Sequence, residues 1–235
     1  MIVACHQPNF MPWLGYFAKM ARADVFVLLD DVQFTQGHNK HNWTSRVRIG
    51  TANGPIWLSM PIRRSGEGLQ RIQDLQTDMH NSRWVAKMMR TLTESYRNTP
   101  HFDDVAPPLM QILADHSGSV CDTNIALIGR IAAMLQISTR LVRSSACLDA
   151  GASTERLVNL TLAEGGKVYL SGDGAAGYQE EQAFQAVGIV LRKLGFRHPV
   201  YPQRAGCEFL PGLSIFDALC FVGIRGTVEL LGPRS

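Results

Sequence analysis

The sequence predicts an α/β protein: a Rossmann-like, mostly parallel sheet with an inserted helical subdomain and a small β-hairpin. Three observations predict it. The chain opens strand–helix–strand, as the apolar run Ile2–Cys5, the amphipathic stretch Trp13–Ala23 and a second apolar run Val25–Leu29. The same rhythm returns after Ile137. Between the two, from about Ser82 to Gln136, the pattern is helical. With 235 residues, 46% of them hydrophobic, the chain can bury one sizeable core with such an insertion. The expected divisions are 1–80, a first α/β portion with the hairpin; 81–136, the helical insertion; and 137–235, a second α/β portion completing the same domain.

Each element has a local reason. Ile2–Cys5 is a short buried strand, and Pro8 and Pro12 turn the chain after it. Trp13, Phe17 and Met20 fall on one face at spacings of four and three, which is helical. Val25–Leu29 is apolar throughout, as suits a sheet covered on both faces. A short β-α-β crossover implies a parallel pair with a right-handed connection. Trp43–Ile49 alternates, Asn53-Gly54-Pro55 signals a turn, and Ile56–Ile62 resumes as a strand, which predicts a hairpin. Residues 70–78 read as a further extended segment. Ser82 can cap a helix through Tyr96, a second helix follows Pro107-Pro108, and a third spans Asp122–Leu135. Beyond these come strand Leu141–Ser144, helix Ser153–Ala163 ended by Gly165-Gly166, strand Val168–Ser171, helix Tyr178–Val187, strand Ile189–Leu194 and a last helix at Ser214–Val222.

Composition excludes several classes. A net charge of +3 without a dense Lys/Arg block does not indicate a nucleic-acid footprint. Five scattered cysteines without a CxxC pair argue against a disulfide framework and a structural zinc. No apolar stretch approaches the about 20 residues of a membrane span, and no secretory leader is read, so the expected location is cytoplasmic. No metal site is expected. His38 and His41 share a polar loop, but no third ligand has a telling spacing.

The polar residues at the strand ends carry the candidate chemistry. His6 ends the first strand and Asp30-Asp31 the second, at the sheet edge where ligands bind in open α/β sheets. A carboxylate that orients one imidazole nitrogen leaves the other free as a general base. Cys5 alternates with His6 and reads as core; turned inward beside a histidine it would instead be a nucleophile. Gly172-Asp173-Gly174-Ala175-Ala176-Gly177 matches GxGxxG after a strand. The acidic residue that a dinucleotide site needs about 20 positions on is missing from Leu191–Pro199, so the motif reads as a tight turn whose amides hold an anion or a carbonyl. Arg46 and Arg48 share a strand face and suit a phosphate or carboxylate. His198-Pro199-Val200-Tyr201-Pro202 holds a histidine and a tyrosine in constrained, extended backbone, as a pocket wall would. Trp13-Leu14-Gly15-Tyr16 sits where nucleotidylyltransferases of the HxGH type carry their signature, with both histidines replaced.

His6-Gln7-Pro8-Asn9-Phe10, Pro12-Trp13-Leu14-Gly15-Tyr16-Phe17, Asp30-Asp31-Val32-Gln33-Phe34, Tyr169-Leu170-Ser171-Gly172 and His198-Pro199-Val200-Tyr201-Pro202-Gln203 together resemble the WbqC-like protein family, in order and over nearly the whole chain. One departure is the loop Thr35–Trp43, where the family usually carries more arginine, so specificity is expected to differ. The resemblance implies a setting in O-antigen, other surface-glycan or secondary-metabolite biosynthesis, and transfer of an aminoacyl group such as glycyl onto an amino sugar.

The expectation is therefore an amide-forming acyl or aminoacyl transferase. Its catalytic candidates are His6, Asp30, Asp31 and Cys5. Its substrate-binding candidates are Gln7, Asn9, Trp13, Tyr16, Gln33, Arg46, Arg48, Ser171, Gly172, Gly174, His198 and Tyr201. The partners are a small-molecule amine or nucleotide sugar and an acyl or peptidyl carrier protein; a phosphopantetheine-linked donor is the one cofactor considered. The alternatives are a nucleotidylyltransferase-like enzyme with a degenerate HxGH turn and a non-catalytic binding module.

Overall fold

A computed structural model of the chain describes residues 1–34, 42–63, 70–78, 83–115, 117–147, 151–173, 180–204, 206 and 208–233. Strand β1 (Ile2–His6) stops at Gln7-Pro8, since proline cannot donate to a ladder. Helix α1 (Leu14–Ala21) returns the chain to β2 (Val25–Leu28), which pairs parallel to β1 from Val3–Val25 to His6–Leu28. Trp13, expected as the first helical residue, is the N-cap, and it bridges to Ser214 instead.

The hairpin forms as β3 (Arg46–Thr51) and β4 (Gly54–Ser59), with Gly54 at φ +96° closing a turn tighter than expected. Residues 70–78 are not a continuous strand. Isolated bridges at Arg71, Gln76 and Thr77 flank one 3₁₀ turn, Ile72–Asp74. Helices α2 (Trp84–Tyr96), α3 (Phe102–Ala114) and α4 (Val120–Met134) follow. The Ser82 cap lies outside the described residues. Helix α3 corrects the sequence expectation by starting before Pro107-Pro108 and running through them. Those prolines withhold two N–H groups from the carbonyls of Asp103 and Asp104, exposed first-turn residues whose charge also favours the helix N-terminus.

Strand β5 (Arg140–Arg143), helix α5 (Ser153–Ala163), strand β6 (Val168–Ser171), short helix α6 (Glu181–Gln185) and strand β7 (Val190–Lys193) complete the sheet. Its order is β5-β2-β1-β6-β7 and every pairing is parallel. Counting only sheet strands, this is the 3-2-1-4-5 order of a Rossmann half, with the switch point between β1 and β6. Helix α7 (Ile215–Leu230) ends the chain and is longer than expected. Gly223, at φ +70°, kinks it without stopping it; the His101 ring lies 3.0 Å from where a Cβ would stand.

Both sheet faces are covered. Val3, Cys5, Val25, Val27 and Tyr169 pack with Leu157, Leu160 and Phe184 of α5 and α6. Ala4, Phe26, Leu28 and Leu170 pack with α1, α2–α4 and α7 through Phe17, Leu92, Leu113, Ile128 and Phe216. The three inserted helices thus share a core with the sheet rather than forming one of their own. Each large apolar side chain buried there contributes about 2 kcal/mol. Among the described residues, no helix is long and apolar enough to cross a membrane.

Candidate active site

The carboxyl end of β1 places His6 at the switch point. Its Nδ1 lies 3.2 Å from the Gln7 carbonyl, which also accepts the Tyr16 hydroxyl at 3.1 Å. A carbonyl can only accept, so Nδ1 carries the proton and Nε2 the lone pair. The Tyr16 ring lies 4.7 Å from the imidazole and the Trp13 ring 5.8 Å. Burial, reinforced by the Lys19 charge, presses the His6 pKa down to about 3, so the ring is neutral at physiological pH.

Lys19 supplies that charge. It is only 4% exposed, and its Nζ donates to the Cys5 carbonyl at 2.8 Å, across the end of β1. Burial lowers its pKa to about 8, partly offset by neighbours including Asp173. Helix α1 is buried along most of its length, and Lys19 turns its amine to the strand end. A Cβ on Gly172, after β6, would stand 3.9 Å from Nζ. The ammonium therefore lies between the two strands of the switch point.

The other three catalytic candidates do not join His6: Cys5 is core, as its alternation with His6 implied, and the roles of Asp30 and Asp31 are corrected. Cys5 faces the α5 side of the sheet, 4% exposed, and burial pushes its thiol up to about 12. It remains a protonated core thiol, unsuited to nucleophilic attack. Asp30 and Asp31 do not hold the imidazole. Asp30 accepts Arg143 Nε at 2.6 Å, the Ser145 amide at 2.9 Å and the Ser145 hydroxyl at 2.7 Å. Asp31 takes Arg156 Nη2 on both oxygens at 2.6 Å, and the Ser144 hydroxyl. Burial pushes the Asp30 carboxyl up, but the Arg143 and Ser145 hydrogen bonds and the Arg143 charge outweigh it and hold it below the ordinary value. The acidic pair is a clamp joining β2 to the segment after β5 and to α5.

The later motifs close over α1 in an unexpected way. Ser171 is buried at the end of β6, its hydroxyl 3.1 Å from the Gly172 carbonyl; Gly174 lies outside the described residues, as do His38 and His41. Asp173 accepts the amides of Gly195 and Phe196, both at 2.9 Å. That tie lays Phe196 over Gly15, where a Cβ would be 3.0 Å from the Phe196 ring. The glycine of the Trp13-Leu14-Gly15-Tyr16 turn thus serves close packing. His198 donates from Nδ1 to the Pro199 carbonyl at 3.0 Å, and its buried Nε2 has no partner among the described residues. The Tyr201 ring stays stacked beside His198 at 6.3 Å, while its hydroxyl donates to Asp217 at 2.8 Å, beside Tyr96 and Gln203.

The Gln7 side chain is 3.5 Å from the Thr44 hydroxyl, Asn9 is buried, and Gln33 bridges to Arg71. Trp13 meets Trp43 at 5.3 Å, Trp43 meets Trp57 at 5.4 Å, and the Arg46 guanidinium stands 4.3 Å over the Trp57 ring. Arg48 is opposite Trp57 across the hairpin.

Sequence reasoning passed over Lys19, Arg143 and Arg156. A signal for Lys19 existed: a lysine in an apolar crossover helix with Gly15 and Ala23 four residues either side, hence no carboxylate to pair with. Fold and site together define an α/β protein whose Rossmann-type switch point holds an imidazole and a buried ammonium. The model of the WbqC-like protein family matches residues 7–229, and the chain belongs to that family. It is also 34% identical over 229 residues to the uncharacterized protein Rv1507c of Mycobacterium tuberculosis (strain ATCC 25618 / H37Rv), covering 94% of each chain.

Proposed function

We propose that the protein transfers an acyl or aminoacyl group, such as glycyl, from an activated thioester to the amine of an amino sugar or related small acceptor, in surface-glycan or secondary-metabolite biosynthesis. The observation that carries this reading is the pairing at the end of β1 of a neutral imidazole, lone pair on Nε2, with the buried Lys19 ammonium. The acceptor nitrogen attacks the donor carbonyl. Lys19 stabilises the charge developing on the carbonyl oxygen, which in a site shielded from water is worth far more than in solution. The attacking nitrogen becomes strongly acidic once bonded to carbon, and its proton passes to His6 Nε2. Collapse expels the thiolate and leaves the amide. Burial keeps the His6 ring neutral and its Nε2 lone pair free to accept that proton, while the low proton affinity makes the imidazole a weaker base than one tuned near the working pH. A buried Cys5 thiol favours direct transfer over a covalent protein intermediate.

The test is mass spectrometry of reactions holding aminoacyl-phosphopantetheine carrier proteins and amino-sugar acceptors. The expected product is the amide, formed at least about 100-fold more slowly by His6→Ala, the range of a lost general base. Undiminished turnover in His6→Ala would sink the mechanism. Stoichiometric binding of acceptor, with no product from any donor, would point to a non-catalytic module.

A further inference from the structure

The site opens on a row of tryptophans that the transfer chemistry does not use. Trp13 comes from the N-cap of α1, Trp43 from the approach to the hairpin and Trp57 from β4. They line up outward from His6 at ring separations of 5.8, 5.3 and 5.4 Å. The tryptophan rings meet at 52° and 50° rather than lying flat together, so each contact leaves part of a ring face uncovered. Trp57 is 44% exposed, so part of its ring is open to a ligand. Two cations accompany the row. Arg46 stands over Trp57, and Arg48 is its cross-strand partner on the same hairpin face.

We infer that this strip is a binding subsite for a nucleoside diphosphate, so that the amine acceptor is a nucleotide-linked amino sugar. This deepens the transfer reading and rests on it for the sugar's role. A neutral sugar alone would use the tryptophan faces and have no need of the arginines. A free phosphate would use the arginines and have no need of the rings. A nucleotide uses both: its base stacks on the indole faces, and its diphosphate pairs with Arg46 and Arg48. The row then leads to His6, where the sugar amine would react.

The test is calorimetric titration of the whole protein with UDP, inorganic pyrophosphate and glucosamine separately. UDP is expected to bind. Trp57→Ala should weaken it about tenfold, the range for loss of one stacking contact. Arg46→Gln should weaken both UDP and pyrophosphate and flatten the salt dependence of UDP binding. Pyrophosphate affinity should be unmoved by Trp57→Ala. Circular dichroism checks that each variant folds, and Arg46→Gln tests the subsite should Trp57→Ala fail to. Three results would overturn the inference: no UDP binding at millimolar concentration, UDP affinity unchanged in both variants, or glucosamine alone showing dependence on Trp57. The two proposals fail separately. Transfer onto a free amino sugar without UDP binding removes the subsite and keeps the reaction; Trp57-dependent UDP binding without transfer does the reverse.

Discussion

Replacing Lys19 with methionine should make the protein more stable and less active. The lysine is 4% exposed, and burial lowers its pKa from 10.5 to about 8. At 1.36 kcal/mol per unit, keeping that ammonium charged in the fold costs about 3 kcal/mol near neutral pH. Methionine keeps the length and apolar stem and removes the charge. It also gives up the hydrogen bond to the Cys5 carbonyl, worth about 1.5–3 kcal/mol for a charged donor. The expected net gain at pH 7 is up to about 1.5 kcal/mol, as when buried charges yield to apolar isosteres elsewhere. The pH dependence has a definite sign. Below pH 8 the lysine is charged both folded and unfolded, and the full penalty applies. Between pH 8 and 10.5 the unfolded chain binds the extra proton, so wild-type stability rises with pH. The methionine variant lacks this term, so its advantage should shrink across that window. Urea unfolding of both proteins at pH 7 and pH 9.5 measures it. A variant less stable than wild type at pH 7, or an advantage that does not change with pH, would refute the reasoning. On the proposed mechanism, transfer activity should fall at least about 100-fold, the range for loss of an oxyanion-stabilising group.

Two further outcomes follow from the corrected roles of the strand-end residues. Asp30→Asn should destabilise by about 2 kcal/mol at pH 7, because Arg143 loses the buried one of its two carboxylates and keeps only the exposed Asp122. Asp30 titrates below its ordinary 3.8 in the fold, so it adds stability above that pH and loses it as pH falls; the variant's deficit in urea unfolding should narrow towards acid, and a deficit constant with pH would contradict the clamp. Cys5→Ala should keep at least half of wild-type turnover at a stability cost of about 1–2 kcal/mol, and Cys5 should escape alkylation by iodoacetamide at pH 8 in peptide mapping, because its thiol titrates only at about 12.

Much of the sheet was legible because its signals are local. Ile2–Cys5, Val25–Leu29 and Val168–Ser171 are short apolar runs bounded by turn residues, and their strands stand there within a residue or so. The helix opening at Ser153 and ending at Ala163 was readable from its periodicity and its Gly165-Gly166 stop. Where two local rules competed, the readings slipped. Pro107-Pro108 looked like a start signal, yet burial of Val105, Ala106, Leu109 and Leu113 carries α3 through them. The last helix was expected over Ser214–Val222, yet the left-handed backbone of Gly223 bends α7 around His101 and the helix resumes.

The candidate site divides along the same line. By itself the sequence determined which strand ends bear polar residues, and hence that His6 lies at the edge where an α/β sheet meets its ligand. It could not determine who pairs with whom. Asp30 and His6 sit on neighbouring strands, and only the tertiary structure brings Arg143 and Ser145 from 113 and 115 residues away to claim the carboxylate. Lys19 reads as a surface lysine until α7 and the sheet enclose α1. Periodicity reports which face a side chain takes; partners, burial and therefore proton affinity depend on chain segments distant in sequence. Those distant segments turned the acidic pair into a clamp and gave the switch point its cation.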